Sequence, residues 1–277
     1  MPATAEHNKR LRIDPRIRER RNKVARSQGR KRLYAIIAVL VVMGVYFAVR
    51  AILRTSIFSV RQIEVIGSSH YSSSFVVAQS GISIGVPLTE VNPALVAQRI
   101  EQLSWMGPVK VHKEWPGKLL ITVRERTALA VIPQSPKTDL EVDSSGRVLT
   151  TVASGAGKLI KLCLMPDITS AKVLTQSANC EVQATPVGAY VNPKLAPLLA
   201  VGQALHSAAF SDFSELATSS SGEIDGVLSS GVAVRFGSTA QLPQKLRALQ
   251  LLLSQASTAG YSTIDLRTPL EPVLSNW

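Results

Sequence analysis

The sequence predicts an α+β protein. A single membrane-spanning helix stands near the N-terminus, followed by a small mixed domain and a larger β-rich domain with helices packed on its sheet. Three observations predict this. Residues 33–49 are seventeen consecutive uncharged and almost wholly apolar residues, and the run extends to Leu53 with Arg50 as its only charge. From Phe58 to Arg126 the hydrophobic pattern reads strand, helix, helix, strand, strand. Beyond Arg126, short runs of period-two alternation recur, interrupted by two segments of helical spacing.

The apolar run from Leu33 to Leu53 is 21 residues long. At about 1.5 Å per residue it reaches about 30 Å, the thickness of a bilayer's hydrocarbon core. A buried core helix would carry a polar stripe, and this run has none. Arg50 falls in the last turn, where its side chain can bend to the interface. Residues 1–32 carry twelve Lys and Arg against Glu6, Asp14 and Glu19, a local net charge of +9, whereas Arg50, Arg54 and Arg61 are the only basic residues shortly after. That asymmetry predicts a cytoplasmic N-terminus, with everything after Leu53 outside. The basic region and the apolar run are both too long for a cleaved signal peptide, and Ala48-Val49-Arg50 is not a small-x-small site. The expected organisation is a basic tail (1–32), a transmembrane helix (33–53), a first domain (54–127), a second domain (128–271) and a C-terminal tail (272–277).

The whole chain has a net charge of +12 and a pI near 10, which suggests a nucleic-acid binder. The tail supplies +9 of that charge, so the rest is close to neutral at +3. Such a tail reads first as a topology determinant that touches anionic lipid. The alternative is a membrane-anchored regulator whose basic tail binds nucleic acid or anionic lipid.

In the first domain, Ile63 and Val65 alternate in a strand that ends at Gly67. Ser72 offers a cap to a short helix that stops at Gly81, and a glycine-rich turn, Gly81 to Leu88, follows. Asn92-Pro93 reads as an N-cap with proline at the first helical position, opening a helix that buries Val96, Ile100 and Leu103. Val109 to Lys113 alternates as a strand, Trp115-Pro116-Gly117 turns, and Leu119, Ile121 and Val123 alternate on the return. This order and size fit a two-layer α/β domain.

These residues carry a resemblance. An anchor, then Phe58-x-Val60-x-x-Ile63-x-Val65-x-Gly67, Gly81-Ile82-x-x-Gly85-x-x-Leu88 and Val111-x-Lys113-x-Trp115-Pro116-x-x-Leu119-x-Ile121-x-Val123-x-Glu125-Arg126 is similar to the POTRA domain of the bacterial FtsQ/DivIB cell-division family. The segment from Trp115 to Ala128 is its most specific part.

Farther along, Ala128 to Ile132 reads as a strand, and Leu140–Val142 and Arg147–Leu149 flank an Asp143-Ser-Ser-Gly146 turn that resembles the family's Asp-x-x-Gly-x-Val hairpin. Residues 151–190 read as strands with long loops. Asn192-Pro193 opens a helix from Lys194 to about Phe210. Residues 223–227 and 232–236 form a hairpin, Pro243 to Ser257 a final helix, and Tyr261 to Arg267 the last strand. Phe236-Gly237, a Lys-Leu-bearing helix and Ile264–Arg267 are similar to the family's C-terminal β domain.

No catalytic, cofactor-binding or metal-binding constellation is expected. The four histidines, His7, His70, His112 and His206, are far apart. Ser154-Gly-Ala-Gly-Lys158 lacks the first glycine of a phosphate loop, the position being Val152. No paired carboxylates or Gly-x-Ser-x-Gly elbow stand out. Cys163 and Cys180 are the only cysteines. Paired in an oxidising compartment, they would close a loop worth about 3 kcal/mol; as two buried thiols they would contribute nothing of the kind.

The pattern therefore points to a non-enzymatic membrane scaffold. The resemblance makes this concrete: a divisome component of the bacterial plasma membrane, at the septum, that binds FtsB/DivIC and FtsL, needs no cofactor and helps assemble septal peptidoglycan synthesis. Tyr261 to Arg267 is expected to be an uncovered sheet edge open to strand addition. The resemblance places partner binding at Ile264, Asp265, Leu266, Arg267 and Thr268.

Overall fold

The computed structural model describes residues 15–165, 180–218, 222–254 and 260–276, with residues 15–30 described by backbone alone. Helix α1 runs unbroken over Pro15–Leu53. Its part Lys31–Leu53 is long and apolar enough to cross a membrane, and none of it is buried by the rest of the chain. Apolar surface of that extent left bare in one helix calls for lipid around it.

The first domain comprises β1 (Gln62–Ile66), α2 (Ser73–Ser80), α3 (Pro93–Glu101), β2 (Met106–Glu114) and β3 (Lys118–Glu125). Its three strands are ordered β1-β3-β2, with β1 parallel and β2 antiparallel to β3. The helix ends follow local chemistry. Ser72 Oγ accepts from Phe75 N, and Gly81 closes α2 at φ 69°. Asn92 Oδ1 accepts from Ala94 N and Leu95 N ahead of α3. Val76, Val96 and Ile100 of the helices pack on Leu119 and Ile121 of the central strand.

Two features tie this domain's loops down. A short 3-10 turn, Ser56–Phe58, leads from α1, and the glycine-rich turn pairs with the residues just after it: Val60 N donates to Val86 O, Gly85 N to Val60 O, and Leu88 N to Phe58 O. At the other end, Gly67 (φ 88°) turns the chain so that Glu125 accepts from Ser69 N, Ser69 Oγ and His70 N, while the His70 ring stacks on Trp105 at 3.8 Å. Burial works against a charge on Glu125, but the Ser69 and His70 donors outweigh it and hold the carboxyl down to about 2.

Among the described residues, the second domain is one nine-stranded sheet carrying two α-helices. Its elements are β4 (Ala130–Ser135), β5 (Thr138–Val142), β6 (Val148–Ala153), β7 (Ile160–Leu164), α4 (Ala196–Ser207), β8 (Phe213–Thr218), β9 (Ile224–Leu228), β10 (Ala233–Gly237), α5 (Leu242–Ser254), β11 (Thr263–Asp265) and β12 (Val273–Ser275). The strand order is β12-β11-β10-β9-β8-β7-β4-β5-β6. Parallel neighbours are β4/β7, β7/β8 and β10/β11. Leu198, Leu205 and Leu249 of the helices pack with Leu140, Leu162, Leu216 and Phe236 of the sheet. The β6 edge is partly closed by residues 188–190, through Gly188 N to Val148 O, Val148 N to Ala189 O and an Arg147–Tyr190 bridge.

The hairpins, the caps and the start of α5 lie where the sequence predicts them, with bounds shifted by a few residues; the expected end of α5 at Ser257 lies outside the described residues. The helix expected to reach Phe210 ends at Ser207. Strand β8 is missing from the sequence reading because almost every residue from Phe213 to Thr218 is buried, so the alternation that announces a strand is absent. The region 151–190 contributes β7 to the middle of the sheet; its residues 166–179 lie outside the described residues.

Lys245, in the first turn of α5, runs against the helix dipole. The reason is long-range: its buried Nζ donates to the carbonyls of Phe236 and Ser238 and so fixes α5 to the end of β10. Burial pushes its pKa down.

The two domains meet at the β5–β6 turn. Arg126 Nε donates to Met106 O, and its Nη1 donates to Asp143 Oδ2 at 2.6 Å. Asp143 Oδ1 also accepts from Ser145 N, Ser145 Oγ and Arg147 N. Arg147 Nη2 in turn reaches the carbonyls of Glu101 and Gln102, which end α3. One turn of the second domain is thereby bolted to the helix terminus of the first.

Candidate partner-docking edge of the sheet

Strand β11 forms here because Thr263 to Leu266 alternates: Ile264 and Leu266 are buried in the core with Val234 and Phe236. It runs parallel to β10, with Ala233 opposite Thr263 and Arg235 opposite Asp265. Ala233 N donates to Ser262 O and Leu266 N to Arg235 O. Ser262 O and Leu266 N thus bond toward β10, while Ser262 N donates to Ser275 O on the opposite side, the side to which Thr263 and Asp265 turn their peptide groups.

What they meet corrects the sequence reading. Tyr261 to Arg267 is not an uncovered edge, and residues 272–277 are not wholly a loose tail. Glu271 N donates to Thr268 O, the chain reverses, and β12 pairs antiparallel with β11, Thr263 opposite Ser275 and Asp265 opposite Val273. Leu274 packs partly into the core and holds the strand there. Since Val273 and Ser275 face β11, Leu274 points its N–H and C=O outward. Two residues earlier, the next outward position is Pro272, which has no N–H to offer.

The five expected site residues therefore divide. Ile264 and Leu266 are core residues, 1% and 0% exposed. Asp265 and Arg267 remain near the surface, paired with each other: Arg267 Nη2 lies 2.7 Å from Asp265 Oδ2 and Arg267 N donates to Asp265 Oδ1. Although partial burial opposes it, these bonds from Arg267 lower the Asp265 pKa. Thr268 is exposed in the turn beyond. Sequence reasoning missed Val273, 58% exposed beside the new edge; Leu270, to which the family resemblance extends the partner-binding residues with less specificity, is 88% exposed there. The only signal was the alternation Val273-Leu274-Ser275, too short to read as a strand.

A charged row crosses the same face, because Asp225 stands opposite Arg235 and Arg235 opposite Asp265. Asp225 is 3% exposed, and its contact with Arg235 Nε is long, at 3.9 Å. The attraction at that distance does not offset burial, which pushes the Asp225 pKa up to about 6.

Farther along the sheet, Cys163 of β7 and Cys180 lie with Cα atoms 5.1 Å apart and their sulfurs bonded. With Glu215 they are the grouping of metal-capable side chains found among the described residues. Sulfurs joined to each other lack the thiolates that a metal would need.

The chain matches two family models: the POTRA domain, FtsQ-type, over residues 58–126, and the cell division protein FtsQ/DivIB C-terminal domain over residues 130–267. Among curated relatives, it is 26% identical over 219 residues to the cell division protein FtsQ of Mycobacterium leprae, covering 77% of this chain and 56% of the relative. It is 28% identical over 99 residues to the FtsQ of Mycolicibacterium smegmatis, covering 36% of this chain and 28% of that protein. Against the FtsQ of Caulobacter vibrioides it is 29% identical over 93 residues, 34% of this chain and 30% of the relative. The matched stretches thus span from 28% to 56% of these relatives' own lengths. With both domains matched in order behind an apolar helix, the chain belongs to the FtsQ/DivIB family of cell-division proteins.

Proposed function

We propose that this chain is a single-pass divisome scaffold that captures FtsB/DivIC- and FtsL-type partners by adding a partner strand to the β12 edge. In doing so it helps assemble the septal peptidoglycan synthesis machinery. The supporting observation is the outward-facing backbone of Leu274, flanked by the exposed apolar side chains of Val273 and Leu270. Main-chain bonds would supply affinity, and the apolar side chains would select the partner. Asp265, Arg267 and Thr268 flank this edge.

Leu274→Pro removes the outward donor and spares the bonds to β11, whereas Leu274→Ala keeps the donor and loses only packing. The tagged full-length protein, extracted from membranes in detergent, should co-purify less partner in the proline variant. The deficit relative to alanine should be one or two hydrogen bonds' worth, on the order of 1–3 kcal/mol. Equal capture by the two variants, with loss on deleting residues 58–126, would move the docking site to the first domain.

The positive-inside pattern supports a cytoplasmic N-terminus. A reporter active only outside the cytoplasm should be active when fused after Trp277; silence there would reverse the orientation.

The Cys163–Cys180 bond is the expected state outside the cytoplasm. Intact mass after alkylation should show both thiols protected until reductant is added. Alkylation of the folded, unreduced protein would dismiss the bond.

A further inference from the structure

Three large apolar side chains stand exposed on separate elements at the end of the first domain nearest the membrane helix. Ile57, in the 3-10 turn, is 59% exposed, Ile84, in the glycine-rich turn, 73%, and Trp115, at the β2–β3 turn, 52%. Exposed apolar residues scattered singly need no explanation. These are gathered by the chain's own bonds. Leu88 N to Phe58 O and Gly85 N to Val60 O tie the glycine-rich turn to the residues that follow Ile57. The Phe58 ring stands edge-on to Trp115, with centroids 5.8 Å apart.

Chain length fixes where this cluster lies. Phe58 is five residues beyond Leu53, so it stands within about 18 Å of the end of α1 even if fully extended. The turn bonds Thr55 N to Ile52 O and Phe58 N to Thr55 O shorten that reach. The domain also folds back along the helix. Arg54 Nη2 lies 3.2 Å from Glu90 Oε1, and a cleft of about 260 Å³ between α1 and Thr89–Glu90 is lined by Tyr46 and Arg50. Because Arg54 directly follows Leu53, its contact brings Glu90 level with the end of the hydrocarbon core, where headgroups begin. Arg50 lines that cleft and Arg61 lines another with Trp115, so both place positive charge near this cluster, whereas Arg54 is paired with Glu90.

We propose that this end of the first domain is seated on anionic phospholipid, with Ile57, Ile84 and Trp115 entering the interface and Arg50 and Arg61 facing lipid phosphates. Amphipathic aromatic rings and apolar side chains favour that depth, and nearby cations strengthen the contact with anionic headgroups. The inference rests on α1 spanning the bilayer. It adds that the domain has a fixed seat on the membrane and is not merely tethered above it.

The test reconstitutes the full-length protein in phosphatidylglycerol–phosphatidylethanolamine vesicles, with or without bromine on the upper acyl-chain carbons. The Trp115 signal is taken as the difference from Trp115→Phe. Ile84→Trp places a second reporter on the seat, and Ser230→Trp, in an exposed turn of the second domain, is the control. The brominated lipid should quench both seat reporters by about half and leave the control unchanged, since interfacial aromatics sit at that depth. Replacing the anionic lipid with phosphatidylcholine should lessen the quenching.

Unquenched seat reporters on protein that resists alkaline extraction would overturn the seat and leave the span intact. Extraction of the protein at alkaline pH would instead overturn the span itself. Equal quenching of the control would show non-specific adsorption and also overturn the proposal. Shielding from acrylamide that arises only when a partner protein is co-reconstituted would assign this face to protein rather than lipid.

Discussion

Replacing Asp143 with alanine is expected to destabilise the full-length protein by about 3 kcal/mol, the cost of stripping one member from a buried charge pair. Asp143 is 5% exposed and accepts from Arg126, Ser145 and Arg147. Its loss leaves those donors unpaired and frees the arginine that reaches the end of α3. Thermal unfolding in detergent would measure the loss, and a change in Tm of less than a degree or so would refute it.

Asp143→Asn keeps an acceptor and should cost less, but it should alter the acid limb of the stability curve. Burial tends to raise the Asp143 pKa; bonds from Ser145, Arg126 and Arg147 more than reverse this and lower it below the ordinary 3.8. A depressed carboxyl contributes stability that is fully present above its unfolded pKa and is lost as pH falls through its folded value. The asparagine variant should therefore lose less stability than the parent below about pH 4. Glu125, held near 2, acts in the same direction in both proteins.

Gly67→Ala should be comparably severe, about 3–4 kcal/mol, combining the strain of a left-handed residue with a main-chain clash. At φ 88° an added Cβ would collide with the carbonyl oxygen of Val123, which belongs to the central strand and cannot step aside. The turn that brings Ser69 and His70 to Glu125 would be displaced with it. Hydrogen exchange followed by mass spectrometry should show protection falling first in β1 and β3. A variant with parental protection in both strands would show that the turn relaxes at no cost. Equal loss across both domains would show that the Asp143 junction makes them unfold together.

Much of this architecture was legible because it is written locally. The apolar run, the Ser72 and Asn92-Pro93 caps and the hairpin alternation each depend on neighbours a few residues away. What escaped depends on distant partners. Strand β8 is covered on both faces and so shows no alternation. Lys245 looks misplaced until the carbonyls of Phe236 and Ser238 are brought beneath it. For the proposed docking edge, the alternation of Ile264 and Leu266 was readable, but which strand comes last was not. A three-residue strand, held by one half-buried leucine, decides it.

That last strand also sets how far assembly through it could run. A sheet that recruits copies of itself without end needs two open, well-matched borders, one to give and one to receive. Here Pro272 withholds a donor on one border, and residues 188–190 occupy part of the other along β6. Among the described residues, neither border of this sheet offers a second copy a long, well-matched run of outward backbone groups. Open-ended self-pairing through this sheet is thereby disfavoured, and a strand added at β12 would find only a short border to follow.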